Sequence, residues 1–240
     1  MTEYLTISEA AEYLGVSEQT LRRWDEDGSF KPSFVSPGGH RKYSMADLVK
    51  LTGGLFQVAK EWAGSAVPAT LPDEFYCPQS DIFRSRLDRL AHEMETHQPM
   101  EGMWSLVVLA AGEIGNNSFD HNLGNWPDLP GAFFAYDLGK RIIVLADRGL
   151  GILTTLRRVR PELADDQAAL RLAFTELTSG RAPEHRGNGL KAVKIAAAQA
   201  GFRLRFQSGD AELELAKGQS EPIIRRVEAP IRGCMALIEF

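Results

Sequence analysis

The sequence predicts an α+β chain in two folded parts, and three observations carry that expectation. Residues 1–52 are crowded with short helical signals. Residues 53–78 gather Gly53, Gly54, Gly64, Pro68, Pro72 and Pro78, punctuation that reads as a linker with one helix over Leu55–Trp62. Residues 79–240 alternate helical and strand patterns without an internal repeat. A length of 240 residues admits one or two domains, and 44% apolar residues suffice for a sizeable core.

The N-terminus carries acidic residues early and lacks a basic flank ahead of an apolar run, so it does not read as a signal peptide. No apolar stretch reaches the roughly 18 residues that a membrane span needs. The expected location is the cytoplasm, with no membrane partner. Cys77 and Cys234 lie far apart without metal-ligand spacing and read as two small buried or half-buried thiols.

Within residues 1–52, Thr6 or Ser8 can cap a first helix over Glu9–Leu14. Ile7, Ala10, Ala11 and Leu14 give it an apolar face at helical spacing. Gly15 breaks it, and Ser17 caps a second helix through about Asp25, with Leu21 and Trp24 turned inward. Two short helices joined by a glycine-containing turn form a helix-turn-helix pattern, whose second helix meets base edges in the major groove with its N-terminal side chains. Here those are Ser17, Glu18, Gln19, Thr20, Arg22 and Arg23.

FKPSFVSPGGHRKYS then reads as two short strands about a Pro37-Gly38-Gly39 turn, and Ser44 caps a helix through Leu51. Lys31, His40, Arg41 and Lys42 cluster there and suit phosphate oxygens. With a net charge of −5, any nucleic-acid contact comes from such a local patch. The run ISEAAEYLGVSEQTLRRWDEDG…GGHRKYSMADLVKL resembles the winged helix of the MerR and excisionase-like families. The resemblance covers nearly all of residues 1–52 and implies binding of double-stranded DNA. A winged helix reused to hold a regulatory partner protein is the alternative.

Three motifs follow in residues 79–240. In EIGNNSFDHN, residues Glu113, Asn117 and His121 are four apart and share one helix face, behind an apolar WSLVVLAA. In RIIVLADRGLGI, a β-branched run ends in Asp147, and Gly149 and Gly151 let backbone approach a flat ligand. In HRGNGLKAVKIAAAQAG, Gly187 and Gly189 open a helix through Ala200, whose first N–H groups favour phosphate. A helix from Asp81 to Glu95 carries His92 as a surface histidine. RLRF and AELEL alternate Arg203, Arg205, Glu212 and Glu214 with apolar residues, the pattern of strands showing one face to water.

Together, the E-x-x-x-N helix, the D-x-G-x-G turn and the later G-x-G-L resemble the GHKL superfamily of sensor histidine kinases, anti-sigma serine kinases, DNA gyrase B, MutL and a heat-shock chaperone. The resemblance covers roughly residues 79–240. It implies a Bergerat-type α/β sandwich with helices on one face of a mixed sheet, and ATP with Mg²⁺ as cofactors.

By that resemblance Asn117 holds Mg²⁺, and Glu113 orients or deprotonates the attacking nucleophile where one is used. Asp147 recognises adenine in a pocket shaped by Gly149 and Gly151, while Gly187, Gly189 and Leu190 belong to the phosphate motif. TSGRAPEHR is the lid, from which Thr178, Arg181 and Arg186 approach the terminal phosphate; as residues alone it reads equally as a solvated loop. His121 reads either as a satisfied core histidine or as a partner behind the contacting residues.

The expected function is a DNA-binding regulator modulated by nucleotide. The alternatives are an anti-sigma-type kinase or slow ATPase localised by the winged helix, and a module that holds ATP structurally. The pattern leaves a homodimer open.

Overall fold

The computed structural model describes residues 4–14, 16–52, 54–97, 102–175 and 189–240. The chain divides into two compact units, Met1–Val58 with Thr70–Phe75, and Ala59–Ala69 with Tyr76–Phe240.

In the first unit, β1 (Tyr4–Thr6) leads directly into α1 (Ile7–Leu14). Of the two candidate caps, Thr6 is the one used. The Glu9 N–H donates to Thr6 Oγ1 at 3.3 Å, and the Thr6 N–H donates back to Glu9 Oε2 at 2.7 Å, a reciprocal capping box. The helix therefore starts at Ile7, two residues before the expected Glu9. Ser8 instead donates to Glu18 Oε1 at 2.5 Å.

α2 (Glu18–Asp27) starts on Ser17, whose hydroxyl accepts from the Thr20 N–H at 3.1 Å, and ends on Gly28 in the left-handed region. β2 (Phe34–Val35) and β3 (Arg41–Ser44) flank the Pro37-Gly38-Gly39 turn, and β1 joins them in a three-stranded sheet of order β1-β3-β2. Ser44 caps α3 (Met45–Thr52) through a 3.1 Å bond from the Asp47 N–H. Ala10, Ala11, Leu21, Tyr43 and Leu48 form the small core.

α4 (Leu55–Gly64) follows, and β4 (Tyr76–Cys77) is a short strand inside the stretch that reads as linker. The second unit continues with α5 (Ser80–His97), α6 (Trp104–Asn122), β5 (Ala132–Asp137), β6 (Ile142–Asp147), α7 (Gly151–Leu156), α8 (Asp166–Thr175) and α9 (Gly189–Ala200). It closes with β7 (Arg203–Ser208), β8 (Ala211–Leu215), β9 (Ile223–Arg226) and β10 (Cys234–Glu239).

The sheet order is β4-β5-β6-β10-β7-β8-β9. Among the described residues every neighbouring pair is antiparallel, which corrects the expectation of a mixed sheet. The reason is the last strand. β6 and β7 point the same way, joined by the helical crossover, but β10 enters between them and pairs antiparallel with both.

Register aligns Phe134, Leu145, Ala236, Phe206, Leu213 and Ile224 across six strands, and all belong to the core beneath the helices. On the opposite face, Phe133 and Val144 are also buried, while β7 to β9 present charge. There Arg205 and Arg225 both bond Glu212, which is only 5% exposed. The expected alternation holds, but these arginines cover the carboxylate rather than leaving it in water. Burial acts to raise the Glu212 pKa, and the bonds from Arg225 and Arg205 outweigh it and hold it low. Among the described residues no helix is long and apolar enough to cross a membrane. His92 is exposed on α5, Cys77 is buried and Cys234 half-buried, and both thiols are free.

Candidate functional site

The first unit presents a basic surface only in part. Gln19, Arg22 and Arg23 are exposed on α2, with Lys31 and His40 exposed on and near the wing. Ser17 and Thr20 are engaged in the N-cap, their hydroxyls 2.9 Å apart. Arg22 pairs with Glu18 at 2.9 Å, one helical turn back.

Lys42 is half-buried. Arg41 donates from Nε to Asp25 at 2.7 Å and so braces the wing against α2. Of the expected phosphate contacts, Arg41 is therefore committed to an internal ion pair; the sequence shows the cation but not the carboxylate that folding brings beside it.

In the second unit the motifs converge at one end of the sheet. Asp147 closes β6 on the helix-covered face, level with Cys234 and Ser208 on the adjoining strands. It is 3% exposed. Its carboxylate accepts from Ser118 Oγ at 2.9 Å and from the Gly149 N–H at 2.8 Å. Burial pushes its pKa up from 3.8 to about 6, against the bonds from Gly149, Ser118 and the Cys234 backbone N–H.

Asn122, on the next turn of α6, ties the same loop down. Its amide donates to Ser118 O at 2.8 Å, and its carbonyl accepts from the Leu150 N–H at 2.8 Å. Gly149 lies flat on that side chain, and a Cβ there would stand 2.1 Å from Asn122 Nδ2. Gly151, with φ +75°, opens α7, and the Ile152 N–H donates to Ser208 Oγ at 2.9 Å. From β10's side, a Cβ on Gly233 would stand 2.2 Å from Asp147 Oδ1. The turn is held from three strands and one helix, and glycine is required where its neighbours touch it.

Glu113 and Asn117 lie one turn apart on α6 and are half-buried. The start of α9 meets them: a Cβ on Gly189 would lie 2.6 Å from Glu113 Oε2 and 3.4 Å from Asn117 Nδ2. Folding thus brings the first and third motifs together, with the Asp147 turn next along α6. Leu190 is buried in the apolar core, a packing residue of α9. Gly187, Thr178, Arg181 and Arg186 lie outside the described residues.

Several residues of the site escaped sequence reasoning. Ser118 and Asn122 are four apart, one position beyond the Asn117 and His121 row, so helical spacing alone carries a signal for them. Arg148 is fully buried inside the Asp-Arg-Gly turn. Its Nε donates to Asp128 Oδ2 at 3.1 Å, and its Nη1 donates to Trp62 O. Nothing local in the sequence announces those partners.

The arrangement sets a buried carboxylate acceptor beside close-packed glycine backbone, with an amide and a carboxylate on one helix face and a glycine-started helix against them. Asn116 Oδ1, on the same helix, is a buried oxygen without a hydrogen-bond partner.

Residues 4–52 match the model of a helix-turn-helix domain. Over 79 residues the chain is 34% identical to the HTH-type transcriptional activator TipA of Streptomyces coelicolor (strain ATCC BAA-471 / A3(2) / M145), and equally to that of Streptomyces lividans. The match covers 33% of this chain and 31% of each relative, so the chain spans about a third of the length of the curated relatives it matches. The capped helix pair, the strand pair behind it and the family match agree that residues 4–52 of this chain form a helix-turn-helix domain.

Proposed function

We propose that this chain is a DNA-binding transcription regulator whose second unit binds ATP with Mg²⁺ in a GHKL-type site, and that nucleotide modulates the DNA reader. The observation that carries the nucleotide half is the meeting of Glu113, Asn117 and Gly189 beside a buried Asp147 held by Ser118 and Gly149. Asp147 would accept from an exocyclic amine, Gly149 and Gly151 would shape its surroundings, Asn117 would hold Mg²⁺, and the start of α9 would face phosphate.

The DNA half is supported by the helix-turn-helix match and by exposed Gln19, Arg22, Arg23, Lys31 and His40. The relative TipA, matched over 79 residues, is named as a transcriptional activator. The chemistry favours double-stranded DNA, with bases read by α2 and phosphates met by the wing.

The test is titration of the full chain with MgATP and MgADP by calorimetry, followed by DNA affinity with and without nucleotide. Binding lost in Asp147→Asn and a nucleotide-dependent DNA affinity are expected. No heat of binding in the wild type, with a folded protein, refutes the ATP site. A DNA affinity indifferent to bound nucleotide refutes the coupling.

One observation favours a second reading. Glu113 lies against the start of α9 together with Asn117, where a carboxylate serves turnover rather than binding. An anti-sigma-type kinase or slow ATPase localised by the first unit would use it so. Following γ-labelled ATP in wild type and Glu113→Ala decides this: equal turnover in the two removes the enzyme reading.

A further inference from the structure

The C-terminal end of α4 is held by the two loops that build the Asp147 site. A helix ends with unsatisfied carbonyls and a partial negative charge, and α4 meets both needs unusually. The Trp62 carbonyl accepts from the guanidinium of Arg148, and the Ala63 carbonyl accepts from the Arg232 N–H at 3.0 Å. Arg148 stands between Asp147 and Gly149, and Arg232 precedes Gly233, the glycine packed against Asp147.

Asp128 ties the two arginines together, 3.1 Å from Arg148 Nε and 3.3 Å from Arg232 Nη1. The guanidinium of Arg148 also lies 5.9 Å from the centre of the Trp62 ring. The Trp62 carbonyl also accepts from Ser65 Oγ at 3.3 Å, but the fully buried guanidinium has little freedom to move alone, because leaving Asp128 or Trp62 strips its charge of a partner away from water.

We propose that Arg148 is a positioning residue linking the Asp147 turn to the end of α4, so that a change at the turn alters the hold on residues 59–64. Those residues continue in the chain directly from the helix-turn-helix unit. The inference rests on reading the Asp147 turn as the ligand-binding element, and it names the route by which that element is coupled onward. The physical content is a ligand-biased two-state contact: the backbone that recognises the ligand is the same backbone that carries the cap.

The test is hydrogen exchange on the full chain, comparing peptides from residues 145–153 and 59–69. Two perturbations act at the turn: MgADP, and Ser118→Ala, which removes a partner of Asp147 without any ligand. Each is measured with Arg148 present and in two backgrounds. Arg148→Met keeps the bulk and drops every donor, while Arg148→Lys keeps the charge but cannot serve both acceptors.

In the wild type both perturbations should change exchange in residues 59–69 by about fivefold or more, the lower range of measured couplings between sites. In both Arg148 variants the change at 145–153 should persist while the change at 59–69 falls away. The proposal is overturned if 59–69 stays still in the wild type while the turn responds, or if it responds equally in both variants. A turn that Ser118→Ala leaves unmoved also overturns it. Calorimetry with MgADP is run alongside. Absent binding refutes the nucleotide reading, and the linkage is then decided by the Ser118→Ala arm alone.

Discussion

Replacing Asp147 with asparagine should make the protein more stable at neutral pH while removing its ligand binding. The carboxyl has an ordinary pKa of 3.8 and is pushed to about 6 in the folded chain, chiefly by burial. A raised acid favours the folded state while protonated. Its contribution is therefore full below 3.8, falls as pH rises through about 6, and is flat above that. The gap, at about 1.4 kcal/mol per pKa unit, amounts to roughly 3 kcal/mol held against folding at pH 7.5.

Asparagine keeps the shape and one oxygen for the Gly149 N–H, and Ser118 can turn its hydroxyl to accept from the new amide. The variant should thus unfold roughly 6–12 °C higher at pH 7.5, at about 2–4 °C per kcal/mol for a chain of this size. Its advantage should vanish near pH 4. The assay is urea and thermal unfolding of both proteins from pH 4 to 7.5, taking the difference so that other titrating groups cancel. A variant less stable than wild type at pH 7.5, or an advantage that grows toward acid, would refute the reasoning.

Other outcomes follow from the same geometry. Gly149→Ala should cost about 3–5 kcal/mol, because the new methyl displaces Asn122 from two bonds and overpacks the loop. Adding Asn122→Ala should cost much less than the sum of the two single changes; strict additivity in urea denaturation would refute this contact. Gly189→Ala, which places a methyl against Glu113 and Asn117, should weaken MgADP binding at least tenfold with little change in melting temperature, as read by calorimetry and circular dichroism.

Arg22→Ala or Arg23→Ala should lower DNA affinity, with a smaller salt slope wherever a phosphate contact is lost. Arg41→Ala should instead act through the wing. Asp25→Asn, which removes the same ion pair without removing a cation, should then impair binding comparably. A normal affinity in Asp25→Asn would return Arg41 to the phosphate-contacting set.

The helix pair, the wing and the three C-terminal motifs are legible in the sequence because each is a local matter. Ser17 caps its own helix, the Pro37-Gly38-Gly39 turn closes its own hairpin, and Glu113 and Asn117 share a face by helical spacing. β1, β4, β5 and β9 escaped because short strands owe their existence to partners far along the chain, as β4 does to Phe133 and Ala132.

The same division runs through the site. That Asp147 ends a strand followed by close-packed glycines is written in six consecutive residues, since strand propensity and glycine geometry are properties of the residues themselves. That Asp147 is buried against Ser118, that Gly149 has room only for hydrogen beside Asn122, that Arg41 is bound to Asp25, and that Arg148 caps a helix ending 84 positions earlier, at Gly64, are decided by tertiary structure. Burial and pairing depend on which distant groups the fold brings within a few ångströms, and it is burial that turns an ordinary carboxyl into one with a pKa near 6.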